Sequence, residues 1–223
     1  MRPTVIFDLD GTLVDSRLDI CDALNRLMAS RLQPSFTLAE VTSFIGDGVP
    51  VLLQRAFSAR QLEQDPAALS DFLTEYEAKA AERTRPFPGI IPVLDELRAR
   101  DWQMMVCTNK PERAARLLLE ALGLCPYFSA LGGGDSFPIR KPDPRHLLLT
   151  LAKTGTSANH AVMVGDHHND VAAGLAAGCQ TIFCRWGYGE PSDAPGVRIA
   201  GAPAELPKLL EDALAGMVPV SSK

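Results

Sequence analysis

The chain has 223 residues, 46% of them hydrophobic and 22% charged, a composition typical of globular proteins rather than disordered or fibrous ones. Its 22 basic and 27 acidic residues give a net charge of −5, which argues against broad nucleic-acid binding, since such binding needs Lys and Arg to neutralise phosphates. Five cysteines without CxxC spacing, and no apolar run long enough for a signal peptide or a membrane span, predict a cytoplasmic protein without a membrane partner.

Short apolar runs that end in polar residues predict the strands of a parallel sheet. In chain order these runs are Val5–Phe7, Met104–Cys107, Ala130–Leu131, Ala161–Val164 and Thr181–Cys184. Helices are predicted over residues 111–122, from Asp143 through Leu149, and from Asn169 or Asp170 to Gly178. Their alternation with the strands predicts an α/β fold, a doubly wound parallel-sheet core of the Rossmann-like type, with ligands bound at the carboxyl ends of the strands.

Residues 16–84 interrupt this alternation. Their apolar residues follow helical spacing, as in Ile20, Leu24, Leu27 and Met28, and no strand pattern is evident. The simplest interpretation is an all-helical cap over residues 16–84, inserted after the first strand and placed over the carboxyl edge of the sheet. Residues 1–15 and 85–223 would then form the catalytic α/β core.

Two carboxylates, Asp8 and Asp10, directly follow the first predicted strand. In extended chain, residues two apart point the same way, so both carboxylates can face one pocket. Close carboxylates repel each other and need a cation between them or a proton on one. The alternative is that these acids only cap the helix that follows.

Two more carboxylates, Asp166 and Asp170, follow the run that ends at Val164. Oxygen ligands of this kind suit Mg²⁺, which takes few protein carboxylates. We expect Asp166 to bind the metal and Asp170 to support the site. Asp170 could alternatively serve only as a helix N-cap.

Thr108 and Asn109 end another strand just before a helix, where a hydroxyl and backbone N–H groups can bind phosphate. Lys141 lies in a proline-rich turn and can balance the charge of acidic loops and of a phosphoryl group. An ordinary helix cap and a solvated surface lysine are the alternatives. Together, the functional groups at the strand ends indicate phosphoryl transfer.

Four segments resemble the sequence motifs of the haloacid dehalogenase-like superfamily: Phe7–Asp15, Cys107–Lys110, Arg140–Pro142 and Gly165–Asp170. They come in the family's order, and the resemblance extends over nearly the whole chain. It implies a hydrolase with the fold described above. An acid at position 10 is found in the phosphatases and phosphomutases of the family and not in its dehalogenases, because an oxygen leaving group needs a proton.

The same resemblance implies a role for each matching residue. Asp8 attacks phosphorus and forms an aspartyl-phosphate, while Asp10 protonates the leaving oxygen and later deprotonates water. Thr108, with Asn109 and the neighbouring backbone, binds the phosphoryl oxygens, and Lys141 stabilises their charge.

The metal implied by the resemblance is Mg²⁺, bound by Asp8, the backbone carbonyl of Asp10 and Asp166, with Asp170 orienting the site. His167 stands where many relatives have a small hydroxyl residue. The pair His167-His168 alternatively suggests a transition-metal site.

Two further segments, Phe44–Pro50 with Gly46 and Arg185–Gly189, resemble the phosphoglycolate phosphatases of the superfamily. Gly46 is therefore a candidate substrate-binding residue, with a plain turn as the alternative. Three arginines are candidate cations for a substrate carboxylate: Arg17, Arg55 and Arg60.

The predicted function is a Mg²⁺-dependent phosphatase that hydrolyses a small phosphorylated metabolite, with 2-phosphoglycolate as the first candidate. The alternatives are a phosphomutase resembling β-phosphoglucomutase, an inorganic pyrophosphatase, and a non-catalytic module that binds a phosphate ligand. The protein is expected to be a monomer or a homodimer.

Overall fold

A computed structural model describes residues 2–79, 81–191 and 194–215. The strands, in chain order, are β1 (Thr4–Phe7), β2 (Val14–Asp15), β3 (Arg85–Pro86), β4 (Gln103–Cys107), β5 (Ala130–Gly132), β6 (Ala161–Gly165), β7 (Gln180–Cys184) and β8 (Val197–Ala200). The helices are α1 (Arg17–Ser30), α2 (Leu38–Phe44), α3 (Val49–Ala59), α4 (Ala68–Glu77), α5 (Ile90–Ala99), α6 (Glu112–Ala121), α7 (Pro144–Ala152), α8 (His168–Ala177) and α9 (Leu206–Ala215).

Six parallel strands form the central sheet in the order β5-β4-β1-β6-β7-β8. Side chains of β1 alternate between two hydrophobic cores because successive residues of a strand point to opposite faces. Val5 and Phe7 pack with α5, α6 and α9, whereas Ile6 packs with α7 and α8. Helices thus cover both faces of the sheet, and the predicted doubly wound α/β core is confirmed.

Helices α1 to α4 lie between β1 and the rest of the sheet, and we call residues Arg17–Glu77 the helical insertion. It has a hydrophobic core of its own, which includes Leu24, Leu53 and Phe72. The chain enters through β2 and returns through β3, and these two strands pair antiparallel. At the base, the buried Asp19 accepts hydrogen bonds from Thr84 N at 2.8 Å and Thr84 Oγ1 at 2.6 Å. The segments that enter and leave the insertion are therefore hydrogen-bonded to each other at its base.

Several elements differ from the sequence-based expectation. Four elements were not predicted from the sequence: strands β2, β3 and β8 and helix α5. Strands β2 and β3 have only two residues each, and β8 is an edge strand that is only partly buried. Helix α8 begins at His168, earlier than expected, because the His167 side chain accepts a hydrogen bond from the backbone of the first turn. Within the residues described, no helix combines the length and apolarity needed to cross a membrane. Residues 216–223 of the predicted core lie outside the described residues.

Candidate active site

The carboxyl ends of three neighbouring strands bring the predicted site residues together. Phe7 of β1 pairs with Val106 of β4 and with Val164 of β6, so the residues that follow these strands meet at one edge of the sheet. Asp8 follows β1, and its backbone N–H donates to Val164 O at 2.9 Å. Thr108 and Asp166 follow β4 and β6. The register of the sheet therefore places Asp8, Thr108 and Asp166 next to one another.

Asp8 lies at the centre of this edge and is buried. Its Oδ1 accepts a hydrogen bond from Lys141 Nζ at 2.8 Å. Burial raises the pKa of Asp8 to about 6; Lys141 works against that shift, while Asp170 and Asp10 add to it. The carboxylate is therefore mostly ionised at neutral pH, and Lys141 keeps its pKa below the value that burial alone would give.

Lys141 connects the loop before α7 to the site. Its ammonium also donates to Asp170 Oδ1 at 2.6 Å and to the carbonyl of Cys107 at 2.6 Å. Burial disfavours its charge, but Asp170 and Asp8 attract the ammonium more strongly, and the pKa of Lys141 is raised. The other oxygen of Asp170 accepts from His167 N at 3.0 Å. Both Asp170 oxygens are thus engaged within the protein.

Two hydrogen bonds hold Asp166 near Asp8. Thr12 Oγ1 donates to its Oδ1 at 2.8 Å, and the backbone N–H of Tyr188 donates to its Oδ2 at 2.7 Å. A Cβ on Gly11 would lie 2.3 Å from Asp166 Oδ2, so only glycine at position 11 lets the backbone come this close to the Asp166 carboxylate. Burial raises the pKa of Asp166 to about 8, with repulsion from Asp8 next in size.

These three acids can hold a metal ion. One carboxylate oxygen from each of Asp8, Asp166 and Asp170 lies within 4.8 Å of the other two. Lys141 pairs with Asp8 and Asp170 but not with Asp166, and burial together with repulsion among the three carboxylates raises the pKa values of Asp8 and Asp166. Carboxylate oxygens are hard ligands, so the cluster fits a divalent cation.

Asp10 lies on the side of the site that faces the helical insertion. Its Oδ1 accepts from Ser16 Oγ at 2.5 Å, and Lys110 Nζ lies 3.1 Å and 3.0 Å from its two oxygens. Lys110 is buried, and although burial disfavours its charge, attraction by Asp10 raises its pKa. Lys110 is a residue of this site that was not predicted from the sequence. Its position in the motif with Thr108, directly after a buried strand, was the available signal.

A pocket lies between the strand ends and the helical insertion. Its polar side is formed by Asp8, Asp10, Thr108, Asn109 and Lys110. The insertion contributes apolar and aromatic residues: Ile20, Ile45, Val49, Leu52, Phe72, Leu73 and Tyr76. Thr108 Oγ1 accepts a hydrogen bond from Lys110 N at 3.2 Å, which leaves its own proton for another acceptor. The pocket therefore suits a small molecule with one strongly anionic end.

Gly46 and Asn109 join the helical insertion to the core. Asn109 Nδ2 donates to Gly46 O at 3.0 Å and to Lys141 O at 2.9 Å. Gly46 has φ +121°, and a Cβ there would lie 2.4 Å from His167 Nε2. Asn169 Nδ2 adds a hydrogen bond to Asp47 Oδ1 at 2.7 Å. Gly46 and Asn109 both line the pocket. The side-chain nitrogen of Asn109 donates its hydrogens to the carbonyls of Gly46 and Lys141.

The three candidate arginines do not reach the pocket. Their partners are other acids: Arg17 pairs with Asp15, Arg55 with Asp47 and Arg60 with Glu40.

The two histidines lie beside Asp47, with one possible ligand atom of each of the three residues within 4.8 Å of the others. His167 Nδ1 accepts from Asn169 N at 3.4 Å and caps α8. Burial lowers the pKa of His167 to about 4, so its ring is neutral at physiological pH. A transition-metal site there stays a prediction.

Comparison with known proteins extends over most of the chain. The model of the haloacid dehalogenase-like hydrolases matches residues 5–184. The chain is 41% identical over 219 residues to the phosphoglycolate phosphatase of Cereibacter sphaeroides (strain ATCC 17029 / ATH 2.4.9), with 96% of this chain and 100% of that protein covered. It is 40% identical over 203 residues to the phosphoglycolate phosphatase of Agrobacterium fabrum (strain C58 / ATCC 33970), with 89% and 86% covered.

A solved structure described as a predicted phosphoglycolate phosphatase from Haemophilus somnus 129pt has the same fold. It aligns with a TM-score of 0.84 at 28% identity, and the alignment covers 93% of this chain and 97% of that one.

Proposed function

Since the chain belongs to the haloacid dehalogenase-like hydrolases and is a hydrolase of phosphoric monoesters, we propose that it hydrolyses 2-phosphoglycolate with Mg²⁺ as its metal. The observation that carries this proposal is that Asp8 and Asp10 line one pocket and are held by different lysines. One acid can then act as nucleophile while the other handles a proton. The substrate is taken from the two relatives that are about 40% identical over most of the chain.

In the first step, a carboxylate oxygen of Asp8 attacks phosphorus and forms an aspartyl-phosphate. The bond from phosphorus to the ester oxygen breaks, and Asp10 gives its proton to that oxygen so that glycolate leaves as the alcohol. Thr108 Oγ1 and nearby backbone N–H groups donate to the phosphoryl oxygens, while the Lys141 ammonium offsets their charge.

In the second step, Asp10 takes a proton from a water molecule whose oxygen attacks phosphorus. The bond between phosphorus and Asp8 breaks, inorganic phosphate leaves, and both carboxyl groups return to their starting states. A divalent cation held by Asp8, Asp166 and the backbone carbonyl of Asp10 would neutralise charge between the nucleophile and the phosphoryl group. Asp170 supports this arrangement through Lys141.

We also assign residues 16–84 as the cap and residues 1–15 and 85–223 as the catalytic core. The separate hydrophobic core of the helical insertion and the paired strands β2 and β3 support this division. Apolar residues of the insertion line the pocket together with Asp8 and Asp10, which favours a small organic group on the substrate. All five cysteines are free thiols, which supports a cytoplasmic location. A monomer or a homodimer stays the expectation for the oligomeric state.

Phosphate release from a panel of esters, with Mg²⁺ and with a chelator, tests the proposal. The panel contains 2-phosphoglycolate, sugar phosphates, nucleoside monophosphates and pyrophosphate. We expect the highest kcat/KM with 2-phosphoglycolate and loss of turnover with the chelator. Preference for pyrophosphate, or transfer of phosphate between sugar positions with little release, would replace the proposal by a pyrophosphatase or a phosphomutase. Binding of phosphate without turnover of any ester would indicate a binding module.

A further inference from the structure

Among the described residues that line the pocket, Lys110 is the only one with a positive charge. The three arginines that the sequence offered as partners for a substrate carboxylate are paired with acids outside it. The wall contributed by the helical insertion is otherwise apolar, apart from Tyr76 and backbone groups. An anionic group on the organic end of a substrate would therefore find its cation at Lys110.

The Lys110 ammonium has room for a second partner. Its two contacts with Asp10, at 3.0 Å and 3.1 Å, go to the two oxygens of one carboxylate, whereas an ammonium has three hydrogens to donate. The ammonium also lies 4.3 Å from the centroid of the Tyr76 ring. The lysine is buried, so a charge placed beside it would be little screened by water.

Tyr76 supplies a buried hydroxyl with no hydrogen-bond partner among the described residues. The residue is 2% exposed and lines the pocket beside Lys110. Burial raises the pKa of Tyr76 to about 12, so the hydroxyl keeps its proton and is a donor at neutral pH. Leaving such a group unpaired is costly, which points to a ligand atom as its partner.

We propose that Lys110 and Tyr76 together bind the carboxylate of the substrate. The proposal rests on the proposed function, which places the phosphoryl group at Asp8 and the ester oxygen at Asp10. Asp10 is in direct contact with Lys110, and in 2-phosphoglycolate only one methylene carbon separates the ester oxygen from the carboxyl carbon. A carboxylate on that carbon would lie close to the ammonium, with the Tyr76 side chain next to both. The pair thus selects short phosphate esters with a carboxylate next to the ester carbon.

The test compares 2-phosphoglycolate with ethyl phosphate, which has a methyl group in place of the carboxylate. Steady-state kcat/KM is measured with Mg²⁺ for the wild type, Lys110→Met and Tyr76→Phe. We expect Tyr76→Phe to lower kcat/KM for 2-phosphoglycolate roughly 10-fold and to leave ethyl phosphate within about twofold. We expect Lys110→Met to lower both, because Asp10 loses its partner, but to lower 2-phosphoglycolate roughly 10- to 100-fold more.

Tyr127→Phe and Lys208→Met are the matched controls, since both residues lie outside the pocket, and they should leave the ratio of the two esters unchanged. Calorimetry measures the Kd for 2-phosphoglycolate of the Asp8→Asn variant with and without Tyr76→Phe. We expect the added Tyr76→Phe to weaken binding about 10-fold. Equal loss for both esters in Lys110→Met and Tyr76→Phe would overturn the carboxylate site while leaving a phosphatase. Failure of the wild type to release phosphate from either ester would instead contradict the proposed function.

Discussion

Lys141 Nζ lies 2.8 Å from Asp8 Oδ1, and the two side chains are only 2% and 12% exposed. Asp170 holds the same ammonium from another side at 2.6 Å. The lysine therefore fixes the direction of the Asp8 carboxylate and is itself fixed by Asp170. Removing the ammonium would leave two buried carboxylates without their partner.

Lys141→Met should lower the free energy of unfolding by about 3–5 kcal/mol near pH 8, because breaking a buried ion pair leaves uncompensated charge. Chemical denaturation followed by circular dichroism measures this change. Lys208→Met is the matched control, since Lys208 forms an exposed pair with Asp212 and should cost about 1 kcal/mol or less. Equal stability of the two variants at pH 8 would contradict the role given to Lys141.

Asp10→Asn should separate the two chemical steps. The variant lacks the acid for an alkyl leaving group and the base for water, so turnover of 2-phosphoglycolate should fall roughly 10²- to 10⁴-fold. An ester with a good leaving group, p-nitrophenyl phosphate, needs little protonation. When this ester is mixed with the variant, we expect a rapid burst of p-nitrophenolate, equal in amount to the enzyme, followed by slow turnover.

Stopped-flow absorbance measures that burst. A steady rate from the first turnover, with both esters slowed by the same factor, would show that Asp10 does not act as the acid in the first step.

Sequence patterns were sufficient to predict the core of the fold and to predict that the candidate site residues meet at one edge of the sheet. Strand β1 is buried at every position and apolar from Val5 to Phe7, because helices cover both faces of the sheet, and such a run can be recognised in the sequence alone. Asp8, Asp10, Thr108 and Asp166 follow strand ends, and parallel strands bring their ends to one edge. By contrast, the partly buried edge strand β8 lacks a continuous apolar run and was missed.

The environment of each acid could not be predicted in the same way. Lys110 contacts the ring of Tyr76 in α4, and the Tyr188 N–H donates to Asp166 from beyond β7. Both contacts join residues far apart in sequence, and spacing within one segment carries no information about them. A lysine is most often exposed, so its burial beside Asp10 became evident only in three dimensions.

Mg²⁺ should stabilise the protein more at high pH than at low pH. The folded-state pKa values of Asp8 and Asp166, about 6 and about 8, lie above the ordinary carboxyl value. Between about pH 4 and pH 8 the folded protein thus keeps protons that the unfolded chain has lost, and these carboxyls reduce stability as pH rises. A divalent cation favours the ionised carboxylates and reverses this effect.

The increase in Tm on adding Mg²⁺ should therefore be larger at pH 8 than at pH 5.5, measured against NaCl of equal ionic strength. Asp166→Asn should remove most of the increase, whereas Asp212→Asn, on the exposed side of α9, should leave it unchanged. An increase that is the same at both pH values, or that persists in Asp166→Asn, would place the metal elsewhere.

Gly46→Ala should impair activity without unfolding the core. The added Cβ would lie 2.4 Å from His167 Nε2, and φ +121° is unfavourable for alanine, so the loop must move away from Asn109 and Asn169. We expect kcat/KM to fall about 10-fold or more. Gly155→Ala is the control, because Gly155 also has positive φ but no atom lies within 4 Å of its Cβ position.

The control should cost roughly 1 kcal/mol of stability and leave kcat/KM unchanged. Steady-state kinetics and thermal unfolding of both variants measure these effects. A wild-type kcat/KM for Gly46→Ala would show that the Gly46 loop does not contribute to substrate binding.

Phosphate release by Asp8→Asn is the most direct test of Asp8 as the group that accepts the phosphoryl group. Wild type, Asp8→Asn and the control Asp212→Asn are assayed side by side with 2-phosphoglycolate and Mg²⁺, after circular dichroism has verified equal folding. The amide cannot form the aspartyl-phosphate, so turnover by Asp8→Asn should fall roughly 10³-fold or more, while Asp212→Asn stays at the wild-type rate. Near-normal turnover by folded Asp8→Asn would contradict the assignment of Asp8 as the nucleophile.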